Sequence, residues 1–219
     1  TFAVHVTAND IASSGAEPVG IMTSIILPPR KREKYLRELM GEIEAACREL
    51  EIEIMGGHTE ISNVVNQPVV TVTGVGKVKK EKLVSTGGLQ VGDDLVLTKW
   101  AGLEGTAIIA AQKREKLLET LPEELVDTAA DFYQYLSVVP EAKIAVETGV
   151  SAMHDVTEGG IFGALWEIGA AADLGISADL TKIPIRQETI EVCEVFGINP
   201  YQMMSSGSML IGCAKGNLL

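Results

Sequence analysis

Residues 31–50 constrain the fold more than any other segment, because apolar side chains recur there at helical spacing. Charged residues fill the positions between them. Runs rich in β-branched residues lie on both sides, at 19–27 and 69–78, and such runs favour strands. An amphipathic helix between strands predicts a layered fold of helices and sheet. The apolar positions of the helix are Tyr35, Leu36, Leu39, Ile43, Ala46, Cys47 and Leu50.

Turn signals delimit the other elements in the first third of the chain. Ser13-Ser14-Gly15 is a turn signal at the end of a helical pattern. Pro28-Pro29 closes a strand, because proline cannot donate a ladder hydrogen bond. The predicted order is a helix at 1–13, a strand at 19–27, the helix at 31–50, a short strand at 52–55 and a strand at 69–78.

The character of the sequence changes near residue 85. Residues 79–88 combine charged side chains with a glycine pair, as linkers do. We therefore expect an N-terminal domain at 1–85 and a C-terminal domain at 86–219. Helical and strand patterns continue in the second domain, so the predicted class is α/β, in a mixed α+β arrangement. The predicted elements there are strands at 94–98, 150–154, 176–179 and 208–213, and helices at 103–118, 122–136, 140–148, 160–172 and 187–196.

The charge balance argues against nucleic-acid binding. The chain carries 18 Lys and Arg against 30 Asp and Glu, a net charge of −12. Such a surface repels a polyanion. It does not exclude a small phosphorylated ligand, because Mg²⁺ can bridge carboxylates and phosphates within one site.

Cysteine usage and hydropathy predict a cytoplasmic protein without a membrane partner. Cys47, Cys193 and Cys213 are odd in number, widely spaced and set in apolar patterns, which is typical of reduced structural thiols. No apolar run reaches membrane-spanning length, and no basic leader precedes one. The sequence opens at Thr1 within a helical pattern, so we expect it to begin inside a domain.

The first candidate site is Asn9-Asp10, near the end of the first helix. An Asp beside an Asn offers oxygen ligands suited to Mg²⁺. The alternative is an Asp that is solvated or caps a neighbouring turn.

The second candidate site is Gly56-Gly57-His58-Thr59-Glu60, which follows a predicted strand. A glycine pair lets a ligand approach the backbone closely. The amides, the Thr59 hydroxyl and the Glu60 carboxylate could then meet a phosphate and a metal. The alternative is a tight turn, with His58 on the surface or satisfied in the core.

The third candidate site is His154-Asp155, at the end of a strand and shortly before Gly159-Gly160 and a helix. A helix N-terminus in this position can receive an anion. The alternative is that Asp155 or Thr157 only caps the helix. The P-loop, the dinucleotide fingerprint and the nucleophile elbow do not occur, so a hydrolase or protease has little support.

Seven segments, taken in order, resemble the aminoimidazole-ribonucleotide synthetase superfamily, and they cover most of the chain. Two of them, the Gly-Leu-Glu-Gly-Thr element and the His-Asp-Val-Thr-Glu-Gly-Gly element, look closest to its hydrogenase-maturation branch. The segments are Asn9-Asp10-Ile11-Ala12, Gly15-Ala16-Glu17-Pro18, Gly56-Gly57-His58-Thr59, Gly92-Asp93-Asp94-Leu95-Val96-Leu97-Thr98-Lys99, Gly102-Leu103-Glu104-Gly105-Thr106, Met153-His154-Asp155-Val156-Thr157-Glu158-Gly159-Gly160 and Ser206-Gly207.

The resemblance implies two α/β domains, the first of which pairs with its twin to form a β-barrel at a homodimer interface. It implies ATP with Mg²⁺ between the domains. Members phosphorylate an oxygen or a chalcogen, commonly turning an amide-like carbonyl oxygen into a leaving group. The implied substrate is a small molecule or a carrier-bound carboxamide.

The resemblance also assigns residues. Asp10, next to Asn9, matches the metal- and phosphate-binding Asp. Gly56, Gly57 and Thr59 match the turn that meets the nucleotide. Asp155, Gly159 and Gly160 would line the cleft from the second domain.

Three departures from the family pattern bear on activity. His58 stands where many members carry Asp or Glu, so Glu60 is expected to substitute as metal ligand. The acidic Gly-Asp-Asp-Ala motif does not occur before Asn9, and the reactive C-terminal cysteine of the hydrogenase-maturation branch is absent. Apart from these departures, the resemblance implies an ATP- and Mg²⁺-dependent phosphoryl-transfer enzyme. Two alternatives stay open: a non-catalytic nucleotide-binding or scaffold homodimer, and a plain α/β domain whose glycines serve turns.

Overall fold

The computed structural model describes residues 1–214 and 216. These residues form two three-stranded sheets with helices packed against them. The elements are α1 (Phe2–Ser13), β1 (Glu17–Leu27), α2 (Glu33–Glu49), β2 (Glu53–Ile61), β3 (Val69–Lys77), β4 (Asp94–Leu97), α3 (Leu103–Gln112), α4 (Arg114–Leu118), α5 (Glu123–Ala130), α6 (Val139–Thr148), β5 (Ala152–Asp155), α7 (Gly160–Ala172), α8 (Gln187–Phe196) and β6 (Met209–Cys213). The mixed α/β class expected from the sequence is confirmed.

The first sheet has the strand order β2-β1-β3, with β1 parallel to β2 and antiparallel to β3. Alternate residues of β1 are buried, because α1 and α2 cover one face of the sheet. Ile21 and Ile25 pack there against Val4 of α1 and Ile43 of α2. The amphipathic helix predicted at 31–50 therefore covers this core.

The sequence reading of β2 was wrong in its length. The strand does not stop before the glycine pair but continues through Gly56 and Gly57 to Ile61. Its pairing with β1 shifts register between Ile21 and Met22, and Gly56 has φ +154 next to this irregularity. A Cβ on Gly57 would lie 2.2 Å from the Thr23 carbonyl oxygen, so strand pairing itself requires glycine there.

The second sheet has the strand order β4-β6-β5, and both pairs are antiparallel. Ile161, Ala164 and Ile168 of α7 cover one face. The other face packs against α6 and against Ala12, the last part of α1.

The strand predicted at 176–179 does not form. This segment is irregular, although Leu174 and Ile176 pack against the core beneath α7. The apolar side chains are partly buried there without ladder hydrogen bonds, so the strand prediction was wrong. The helices predicted at 103–118 and 122–136 are each interrupted. The first is divided at Lys113 into α3 and α4. The second begins as α5 and continues as a 3-10 helix at Asp131–Tyr135.

The three cysteines are all buried, as their apolar surroundings predict. None of the helices in the part of the chain that the structure describes is long and apolar enough to cross a membrane.

Candidate active site

Helix α1 places the first two candidate residues between the sheets. Asn9 is buried, with 1% of its surface exposed. Its Nδ2 donates to the Leu136 carbonyl oxygen at 2.7 Å, and its Oδ1 accepts from the Val138 amide at 2.9 Å. Asn9 thus ties α1 to the segment that leads into α6, and the next residue, Asp10, is held in a fixed position.

Asp155 is the last residue of β5 and is 6% exposed. Its Oδ2 atom is buried and has no hydrogen-bond partner among the residues that the structure describes. A buried carboxylate oxygen without a donor is unfavourable, so this atom is poised to receive a cation or a proton.

Asp10 faces Asp155 across the gap between α1 and β5. Partial desolvation and then the negative charge of Asp155 raise the pKa of Asp10 to about 6, although solvent reaches its side chain. Proximity of the Asp155 side chain acts in the same direction, because two neighbouring carboxylates favour the protonated form of one of them. The structure therefore brings together two of the three candidate segments.

Two further side chains act on this pair. Glu158 adds a negative charge that also raises the pKa of Asp10, while His154 opposes it. His154 lies 2.8 Å, Nε2 to Oε2, from Glu167 of α7. The sequence predicted His154 only as the neighbour of Asp155 and gave no sign of Glu167, because no local pattern links a strand residue to the second turn of the following helix.

The N-terminus of α7 follows Asp155 closely. Gly159 and Gly160 have φ +76 and +60, and α7 begins without a side-chain cap. A Cβ on Gly160 would lie 2.6 Å from the carbonyl oxygens of Tyr201 and Met203. Glycine at 160 is therefore required by the backbone. Neither the Asp155 nor the Thr157 side chain caps the helix. The Gly160 amide donates to the Thr157 carbonyl oxygen at 3.2 Å, which leaves the next two amides, of Ile161 and Phe162, to face an anion.

Lys99 stabilises the surrounding loops. It has φ +54, and its ammonium group donates to the carbonyl oxygens of Ser137 and Gly207 at 2.8 and 2.9 Å. It also pairs with Glu141 at 2.5 Å. Since all three donors are used, Lys99 holds the start of α6 beside β4.

The second candidate segment lies elsewhere in the fold. Gly56, Gly57, His58, Thr59 and Glu60 are all exposed on the edge strand β2. His58 and Glu60 are 3.5 Å apart, and both side chains are at least half exposed. No residue of β2 is among the groups that shift the pKa of Asp10. Within 1–214 and 216, no three His, Cys, Asp or Glu side chains come together as a metal site, so the roles predicted for β2 stay predictions.

Chemically, the arrangement is an acidic gap beside an uncapped helix N-terminus. Asp10 and Asp155 fit a hard divalent cation, which takes carboxylate oxygens and keeps several waters. The helix N-terminus fits the phosphates that such a cation accompanies. The arrangement is therefore chemically compatible with a metal-bound phosphorylated ligand.

The chain belongs to the AIR synthase-related protein family. Residues 1–78 match the model of its N-terminal domain and residues 90–218 that of its C-terminal domain. The resemblance found in the ordered motifs is thereby confirmed.

Particular relatives point to one branch of the family. The carbamoyl dehydratase HypE of Cupriavidus necator is 31% identical over 219 residues, covering 99% of this chain and 60% of that protein. A putative hydrogenase expression/formation protein of Methanocaldococcus jannaschii is 27% identical over 213 residues, covering 97% of this chain and 61% of its own length. The crystal structure of the hydrogenase maturation protein HypE in complex with ATP has a TM-score of 0.81 at 20% identity, covering 97% of this chain and 62% of that chain. The chain thus spans about three fifths of the curated relatives it matches.

Proposed function

We propose that this chain contributes the nucleotide site of an ATP- and Mg²⁺-dependent phosphoryl-transfer enzyme that activates a carboxamide-like oxygen in hydrogenase or metallocofactor maturation. The approach of Asp10 to Asp155 carries the proposal, because it creates a carboxylate pair that needs a cation. The names of the relatives support the pathway, and the ATP complex of a similar fold supports the nucleotide.

The two carboxylates would hold Mg²⁺. The buried Oδ2 of Asp155 has no partner in the described residues, and ionised Asp10 is destabilised by its neighbour. A divalent cation would relieve both conditions. Bound there, Mg²⁺ would neutralise charge on the transferring phosphoryl group.

The rest of the site would position the nucleotide. The amides of Ile161 and Phe162, which follow Gly159 and Gly160 at the start of α7, would receive phosphate oxygens. The Asn9 side chain would act indirectly, by fixing the helix that carries Asp10. We place this site between an N-terminal domain at 1–85 and a C-terminal domain at 86–219. The break between β3, which ends at Lys77, and β4, which begins at Asp94, supports that division.

The acceptor would be a carboxamide oxygen, on a small molecule or on a carrier protein. Transfer of the γ-phosphoryl group to that oxygen breaks the bond to the ADP leaving group and converts the amide oxygen into a phosphate ester that departs readily. Most of the catalysis would come from alignment and charge neutralisation, because phosphoryl transfer needs little covalent help from the protein.

We also propose a homodimer that pairs through the outer face of the first sheet. The helices cover only one face of that sheet, and on the other face Met22 and Val69 are each 43% exposed. Met22 follows the buried Ile21 along β1, and Val69 of β3 pairs with Ile26, the neighbour of the buried Ile25, so both side chains point away from the helices. A second copy would cover this apolar face.

A non-catalytic nucleotide-binding scaffold is the second candidate. It is favoured by the position of His58 and Glu60, which lie on an exposed edge strand rather than beside Asp10. Such a protein would bind ATP without turning it over.

Calorimetric titration of Mg²⁺-ATP, with a phosphate-release assay, tests the proposal. The variants are Asp10→Asn and Asp155→Asn, which keep the side-chain shape, with the exposed Asp131→Asn as matched control. We expect the first two to weaken Mg²⁺-ATP binding about tenfold or more, since one direct interaction with a charged group is worth about 1.5–3 kcal/mol. Unchanged affinity in both would refute the site, and tight binding without phosphate release would favour the scaffold.

A further inference from the structure

A groove on the side of α1 remote from Asp10 has no role in the proposed reaction. It encloses about 440 Å³ where the end of α1, the linker after β3 and helix α6 meet. Its floor is formed by small and apolar side chains, among them Ala12, Ala142 and Val146. Such a volume accommodates a small molecule.

The charge balance around the groove is opposite in sign to that of the whole chain. Over the whole chain, acidic residues outnumber basic ones by 30 to 18. Around the groove, four lysines meet three glutamates, and Lys77 already pairs with Glu17 at 3.3 Å. The remaining cations, Lys79, Lys82 and Lys143, have no ion-pair partner in the described part of the chain.

The walls of the groove are fixed before any ligand arrives. The Val84 amide donates to the Ser14 carbonyl oxygen at 3.0 Å, so the linker is tied to the end of α1. At Gly15, with φ +78, a Cβ would lie 2.7 Å from the Lys82 carbonyl oxygen and 3.2 Å from Val146 of α6. The three segments therefore meet at this glycine, and little ordering is needed on binding.

We propose that this groove binds the phosphate groups of a small phosphorylated metabolite that also carries hydrogen-bond donors. Lys79, Lys82 and Lys143 contact the phosphates. Glu51 and Glu147, which also line the groove, accept hydrogen bonds from hydroxyl or amino groups of the ligand. Because Lys143 belongs to α6 while Lys79 and Lys82 belong to the linker, the ligand bridges the two halves of the chain.

The test is calorimetry at low ionic strength with a chelator present, so that no Mg²⁺-dependent binding occurs at the site beside Asp10. Two probes separate the sources of affinity: pyrophosphate offers phosphates alone, and ADP adds hydroxyl and amino groups. We expect saturable binding of both, tighter for ADP. Binding should weaken as salt is raised, because the lysines are exposed.

The decisive variant is Lys82→Ala with Lys143→Ala. Loss of two exposed charge contacts should lower the affinity for both probes about tenfold. Lys113→Ala, an exposed lysine at the end of α3, is the matched control and should change nothing. Since all three positions are exposed, circular dichroism should show unchanged folding.

The outcomes separate this proposal from the proposed function. Asp10→Asn should leave binding of both probes intact, while the double lysine variant should leave Mg²⁺-ATP binding intact. The groove proposal would be refuted if the wild type showed no saturable binding, or if the double variant and Lys113→Ala lost affinity equally. Neither result would bear on the proposed enzyme function. Pyrophosphate binding as tight as ADP binding would overturn the role of the two glutamates.

Discussion

Replacement of Asn9 by alanine should destabilise the protein strongly. The side chain is buried and makes two hydrogen bonds to backbone groups of Leu136 and Val138, which are themselves fully buried. Alanine leaves one carbonyl oxygen and one amide without partners, at about 1–3 kcal/mol each. We therefore expect a loss of roughly 3–4 kcal/mol, a large share of the roughly 5–15 kcal/mol that stabilises a typical domain.

Urea denaturation followed by circular dichroism measures this loss. Asn66→Ala, at an exposed position between β2 and β3, is the control and should change the free energy of unfolding by less than about 0.5 kcal/mol. A loss below about 1 kcal/mol for Asn9→Ala would refute the assigned role of the two hydrogen bonds. Lost ATP binding at undiminished stability would show instead that Asn9, a residue of the first candidate site, contacts the nucleotide.

Three further predictions concern the same cleft, the helix beside it and the dimer. The pKa of Asp10 in the folded protein, about 6, lies above its usual 3.8, so its contribution to stability is complete below about pH 3.8 and is lost as pH rises through about 6. Urea titrations should therefore show the wild type losing stability relative to Asp10→Asn between these two pH values. Parallel stability curves for the two proteins would contradict the pairing of Asp10 with Asp155. Gly160→Ala introduces a steric conflict with two carbonyl oxygens in addition to left-handed backbone strain, and should lower the stability by about 2–4 kcal/mol. Gly149→Ala, with open space around the added methyl group, should lower the stability by about 1 kcal/mol, and thermal melts measure both. Equal losses of stability would refute the close approach of the backbone to Gly160. Met22→Lys should weaken self-association about tenfold or more, because it buries a charge in the proposed interface. Sedimentation velocity measures the change. An unchanged dimer would exclude the outer face of the first sheet as the interface.

The elements that the sequence predicted well are those with a complete local signal. The helix around Ile43 has a charged face and an apolar face, and α7 has a glycine pair at its start and a continuous apolar stripe. Both were predicted within two residues of their bounds. Local periodicity suffices for such elements, because helix burial repeats within a few residues.

The errors arose where a residue served a distant neighbour. Gly57 was predicted to lie in a turn after a strand, yet it is inside β2, where its lack of a side chain admits the Thr23 carbonyl oxygen of β1. Ile176 was read as part of a strand, yet it is packed against the core without a strand partner. Strand pairing is a tertiary property, so composition alone could not decide either case.

The site itself was half predictable. Asp10 and Asp155 were both named as candidates from their sequence context, but their approach to each other depends on how α1 crosses to the second sheet. The same holds for Glu167, which reaches His154 only because α7 folds back over β5.

The buried amide at Asn9 has a consequence for how such chains can be recombined. Because α1 belongs in sequence to the first half but is hydrogen-bonded to the backbone at Leu136 and Val138, the two halves are not interchangeable parts. A chimaera joined at the linker from two relatives would have to inherit α1 and the segment before α6 from the same parent. Cleavage within the linker, in contrast, should leave two fragments that remain associated, since the helix of one is anchored in the core of the other.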